Sequence, residues 1–204
     1  MRLRLFPSEA KSLKLLSGMS ELLHQAISSA AELISAPATE RTALREAIKE
    51  NLNEVDDKTY TLLTHLRTSF VNPLPREDLF TFSRHFRAAI GAVDNAAGLI
   101  PEAIPMRSTS LAELLELLGQ QAKVFRKVFA HLAQLDNIED DWLDLMRLTT
   151  RGRHAIRNWK REVSETTRVQ TALSQTMLLD DLREAQYELL QAVNHLGTIL
   201  VKES

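Results

Sequence analysis

The chain has 204 residues, 44% hydrophobic and 25% charged, enough apolar material for one or two packed domains and too much for a disordered chain. Lys and Arg number 25 against 27 Asp and Glu, a formal charge of −2, so the basic excess of a nucleic-acid binder is missing and no specific nucleic-acid partner is expected. Cysteine is absent, which excludes disulfides, thiolate metal sites, redox pairs and a cysteine nucleophile, and a reducing compartment is the default.

From Met1 to Pro7 the apolar stretch is too short for a signal-peptide core. No later window approaches the roughly 18 uncharged apolar residues of a spanning helix, so a cytoplasmic protein is expected. Pro37, Pro73, Pro75, Pro101 and Pro105 cluster as helix boundaries, and apolar residues recur between them at three and four steps, the pattern of a buried helix face.

Six helices are predicted. The first runs from about Ser8, a good N-cap, to Ser35, with Leu13, Leu16, Leu23, Ile27, Ala30 and Ile34 on one side. The second starts near Thr39, whose hydroxyl is expected to cap it, and carries Leu44, Ile48, Leu52, Val55, Thr59, Leu62 and Leu66. The third takes Pro75 as its first helical residue, buries Leu79, Phe82, Phe86, Ile90, Val93 and Ala97, and is expected to close at Pro101. The fourth starts between Ser108 and Ser110 and buries Leu111, Leu114, Leu118, Ala122, Phe125, Phe129 and Leu132. After a break at Asp136 and Asn137, the fifth places Ile138, Trp142, Leu145, Thr149, Gly152, Ile156, Trp159 and Val163 on one stripe. The sixth carries Val169, Leu173, Thr176, Leu179, Leu182, Leu189, Val193, Leu196 and Leu200. Short connections make successive helices antiparallel, so the expected architecture is all-α, two three-helix bundles at 1–104 and 105–204 packed as one unit.

Chemistry-bearing patterns are sparse. A di-iron bundle needs Glu-x-x-His on two helices, and only Glu21 to His24 fits, a cheap coincidence in a helix-rich chain. His65, His85, His131, His154 and His195 stand alone and read as surface or boundary residues. No nucleophile signature or phosphate-cradling glycine loop is present, so an enzyme is not expected. Charge is most uneven on the fifth helix, where Asp136, Glu139, Asp140, Asp141 and Asp144 precede Arg147, Arg151, Arg153, Arg157, Lys160 and Arg161. That order suits the helix dipole, and its arginines also suit phosphate groups or an acidic partner.

Four segments in this order and spacing resemble the PhoU-like accessory proteins of low-affinity Pit phosphate transporters. They are Arg2-Leu3-Arg4-Leu5 with Pro7, then Asp56-Asp57-Lys58-Thr59, then Ser69 to Leu79, and the closing Val201-Lys202-Glu203-Ser204. Within the third, Phe70, Pro73 and Arg76-Glu77-Asp78-Leu79 are the most specific part. The resemblance implies a pair of three-helix bundles acting in phosphate-uptake control, a Pit-type transporter as partner at the inner face of the membrane, and metal ions held by acidic pairs four residues apart. Those pairs fall here on Leu52 and Asp56, Arg87 and Gly91, Thr149 and Arg153, and Arg183 and Tyr187, so Asp56 is the sole retained metal ligand.

One carboxylate does not hold a multinuclear cluster and a guanidinium has no lone pair to give, so no cofactor is expected. Arg87 is expected to pair with Asp56. Arg153 and Arg183 have two open readings: they face one another and bridge an anion such as phosphate, or they pair with Asp180, Glu184 or Glu188. Arg87, Arg153, Arg157 and Arg183 are thus the candidate anion- or partner-binding residues. The expected function is a non-enzymatic regulatory protein of phosphate transport acting by protein contact. The alternatives are a helical metalloenzyme using Glu21, His24 and Glu50 or Glu54, and a helical scaffold that only oligomerises; a homo-oligomer is compatible with each.

Overall fold

The computed structural model describes residues 11–103, 108–132 and 138–203, side chains at 102, 103 and 203 excepted. The chain is an all-α bundle of six helices: α1 (Lys11–Ser35), α2 (Ala38–Thr68), α3 (Arg76–Ala103), α4 (Thr109–His131), α5 (Ile138–Ser164) and α6 (Val169–Glu203). Successive helices run antiparallel, as Gly18 of α1 beside the Lys58 stem of α2 and Gly152 of α5 beside Gln186 of α6 demonstrate. The expected start at Ser8, the boundary between 104 and 105, and the break at Asp136 and Asn137 lie outside the described residues. No helix among the described residues is long and apolar enough to cross a membrane.

Helix ends follow local chemistry, with three departures from expectation. Ser108 caps α4 by accepting the Leu111 N–H at 3.0 Å. Thr39 does not cap α2: the helix begins one residue earlier, and the Pro37 carbonyl accepts the Glu40 N–H at 3.0 Å. Proline presets φ and gives up no needed donor there, so the helix starts directly after it. Pro75 likewise stays outside α3, its carbonyl accepting from Asp78 and Leu79. Pro101 does not close α3, which runs on to Ala103; proline lies in the last turns, where few backbone bonds remain to lose.

The core is one continuous apolar cluster drawn from all six helices. Its broadest interfaces cross between the halves, α3 against α6 and α1 against α4, while α2 covers α1 and α3, and α5 covers α4 and α6. The backbones of α3 and α4 stay apart, and four phenyl rings fill the space between them. Phe82 meets Phe129 edge-to-face at a centroid distance of 5.1 Å, and Phe86 meets Phe125 in the same way at 5.1 Å.

The start of α6 breaks its expected stripe. Val169 is 84% exposed and Leu173 60%, and Thr176 is exposed too. Gln175 and Leu178 face inward instead, and the stripe is buried as expected from Leu179 and Leu182 onward. The Thr166 hydroxyl donates to Gln175 Oε1 at 3.0 Å, which satisfies part of that buried amide.

Between α4, α5 and α6 lies a buried neutral layer. Gln121 Nε2 donates to Gln186 Oε1 at 3.1 Å, and the Thr149 hydroxyl donates to Gln121 Oε1 at 3.3 Å. Gly152 makes this layer possible: a Cβ there would stand 2.3 Å from Gln186 Oε1.

Candidate interaction site

The positions that the resemblance assigns to acidic pairs fall on α2 and α3 in the first half and on α5 and α6 in the second. On α2, Ile48, Val55 and Leu62 bury one face, which turns Asp56 toward the α3 flank at half exposure. On α3, Leu79, Phe82, Phe86 and Ile90 bury the opposite face and leave Arg87 beside it. The guanidinium then grips both carboxylate oxygens of Asp56, Nε on Oδ1 and Nη2 on Oδ2 at 3.2 Å. Leu52 packs against the core, and Gly91 has open space where a side chain would stand.

These residues do not fit a metal cluster. The donor set is one carboxylate, and a fixed cation already takes both its oxygens. No group of three or more potential ligands forms among the described residues.

In the second half Thr149 turns inward to the Gln121 amide, so its hydroxyl is spent on the neutral layer. Arg183 pairs with Asp180 on its own helix at 3.2 Å, and Tyr187 is half-exposed. Arg153, Arg157 and Lys160 are exposed. By helical register they share the α5 flank of Trp142, which turns to α6 and donates its indole N–H to the Val193 carbonyl at 3.1 Å. Arg157 Nη2 lies 2.6 Å from His154 Nδ1 one turn before it, on the exposed side of the helix. Three acids on the same helix are engaged elsewhere, and Glu139 and Asp140 stand at its far end. Asp144 holds Arg147, Asp141 takes Lys127 of α4 at 2.6 Å, and Glu162 accepts the hydroxyls of Ser108 and Ser110. The outward α5 flank is therefore a row of cations with planar donor forks, suited to carboxylates or phosphate groups.

The residues of the metalloenzyme alternative are dispersed. Glu21 pairs with Arg126 of α4, Glu54 with Lys58, and Glu50 is exposed. His24 lies against Gly119 of α4; burial first, then Lys123 and Arg126, hold its pKa below the usual imidazole value.

One polar ladder was not anticipated from the sequence. Where α3 meets α6, Asp78 takes Lys202 Nζ at 3.2 and 3.3 Å, His195 Nε2 donates to the Asp78 carbonyl at 3.2 Å, and His85 Nδ1 meets Glu188 Oε2 at 2.7 Å. Asp78 is 4% exposed, and its position in the first turn of α3 adds the helix dipole to Lys202 as support. Burial lowers the His195 pKa, with Asp78 opposing and His85 and Lys202 adding to the lowering. The available signal is a seven-residue step, 78 and 85 on α3 with 188, 195 and 202 on α6, which keeps such residues along one helix flank. No protein-family model matches the chain, and no curated protein matches it.

Proposed function

We propose that this chain is a non-enzymatic, PhoU-like accessory protein of inorganic phosphate transport. It acts by protein contact, with a low-affinity Pit-type transporter as partner at the cytoplasmic face of the membrane, and it works without a metal cluster. The observation that carries this reading is the Asp56–Arg87 fork, a guanidinium bonded where the resemblance places ion-binding carboxylates. A side-chain cation in that place is permanent, so the site no longer depends on a bound ion. Contact falls to the arginine row of α5, where Arg153 and Arg157 are exposed, while Arg183 on α6 is paired with Asp180.

The test is affinity capture from solubilised membranes with the tagged full chain. A Pit-type transporter is recovered by the parent protein and by Arg87→Ala. Arg153→Glu with Arg157→Glu lowers recovery by about tenfold, the scale of one or two lost charge contacts. A parent protein that recovers no such transporter contradicts the proposal.

A further inference from the structure

The segment between α2 and α3 holds an aromatic side chain in solvent. Ser69 N–H bonds the His65 carbonyl at 2.8 Å, the Ser69 hydroxyl donates to the Val71 carbonyl at 2.9 Å, and Arg76 Nη2 donates to the Ser69 carbonyl at 2.8 Å. Leu74 is buried and anchors the far side. Between these ties Phe70 is 98% exposed and Val71 62%, and Tyr60 and Leu63 extend the apolar surface along α2. Single exposed apolar residues are ordinary; an exposed Phe-Val pair on a loop braced at both sides is the pattern of a contact surface.

At the same end of the bundle, the start of α5 and the end of α6 enclose an open apolar groove of about 820 Å³. Trp142 forms its floor, its indole resting on Gly197, where a Cβ would lie 2.9 Å from Nε1. Leu143, Leu200 and Val201 line the walls. Glu139 stands at its rim with Asp140 next in sequence, whereas Arg67 and Arg76 flank Phe70. Lys202 also lines the groove but is held by Asp78, so Glu139 and Asp140 are the charges left to face an arginine, and tip and groove complement one another in apolarity and charge at one end of the molecule.

We propose that two copies of this chain pair end to end, each inserting Phe70 into the groove of the other. Because tip and groove share one end, the exchange is reciprocal about a two-fold axis and closes as a dimer rather than growing into a filament. Arg67 and Arg76 of each copy then face Glu139 and Asp140 of the other. This inference does not depend on the transporter reading, and its failure leaves that reading untouched.

Sedimentation of the full chain from about 1 to about 100 μM tests it, the range in which modest interfaces associate. The parent protein dimerises, and Phe70→Asp and Leu143→Asp are each monomeric while retaining parental helix content by circular dichroism. Symmetry removes the contact twice, so each substitution weakens pairing by about 100-fold or more. Mixing the two variants restores one intact tip-and-groove contact and yields a heterodimer, weaker than the parent dimer and tighter than either variant alone. A parent protein that stays monomeric overturns the proposal and leaves both surfaces to another protein. A dimer indifferent to both substitutions overturns it too, as does a mixture that pairs no better than its components.

Discussion

The positions that the resemblance assigns to acidic pairs are treated in opposite ways by the two halves. On α2 and α3, Arg87 is spent on Asp56, the pair is neutral, and the surface around Gly91 is open. On α5 and α6, Thr149 is drawn into a buried amide layer while Arg153 and Arg157 remain outward as charge. A surface guanidinium can thus be consumed by a pair or left facing solvent. Which occurs depends on whether a carboxylate stands opposite it on the neighbouring helix.

The contrast is broken most strongly at the two glycines. Gly152→Leu drives a side chain into Gln186 and is expected to cost about 3 kcal/mol in chemical denaturation. Gly91→Ala meets nothing and is expected to stabilise by about 0.5–1 kcal/mol through helix propensity alone. Next in size is Gln121→Leu, which strands the Gln186 amide in the core at a cost of about 1–3 kcal/mol. Adding Gln186→Leu to it recovers part of that loss, because no buried amide is then left unpaired.

Acid weakens the α3–α6 seam. The folded pKa of His195 lies below its unfolded value of about 6.5, so the unfolded chain binds the extra proton first. Stability is therefore full above that value and falls as pH drops through it toward the folded pKa. His24 and His65 shift in the same direction, chiefly through burial, and add to the loss. The melting temperature is expected to fall between about pH 7.5 and about pH 5.5, with a smaller fall in His195→Gln. The smallest effect belongs to the first half's own pair. A double-mutant cycle on Asp56→Ala and Arg87→Ala is expected to give a coupling of at most about 1 kcal/mol, since both groups are half-exposed and screened by salt.

Most of the fold was legible because its stripes are long and regular. Every apolar position read on α3 from Leu79 to Ala97 and on α4 from Leu111 to Leu132 is buried. Spacing misled where a polar side chain is buried: Gln175, bonded to Thr166, faces inward at the start of α6 while Val169 and Leu173 stay outside. The site was legible in part. The Asp56–Arg87 pair was expected from the positions that the resemblance singles out, and the two side chains do meet. Of the two readings of Arg183, the structure holds it on Asp180. The ladder from Asp78 to Lys202 and the Gln121–Gln186 layer join helices far apart in sequence, and local periodicity carries no information on which distant flanks meet.

The central claim is that Arg87 does the work of a bound cation at Asp56, and metal analysis of the full chain purified without chelators tests it most directly. The account predicts no stoichiometric iron, zinc or manganese, with Arg87→Asp needed before any metal is retained. Stoichiometric metal in the parent protein, lost on Asp56→Asn, would contradict it.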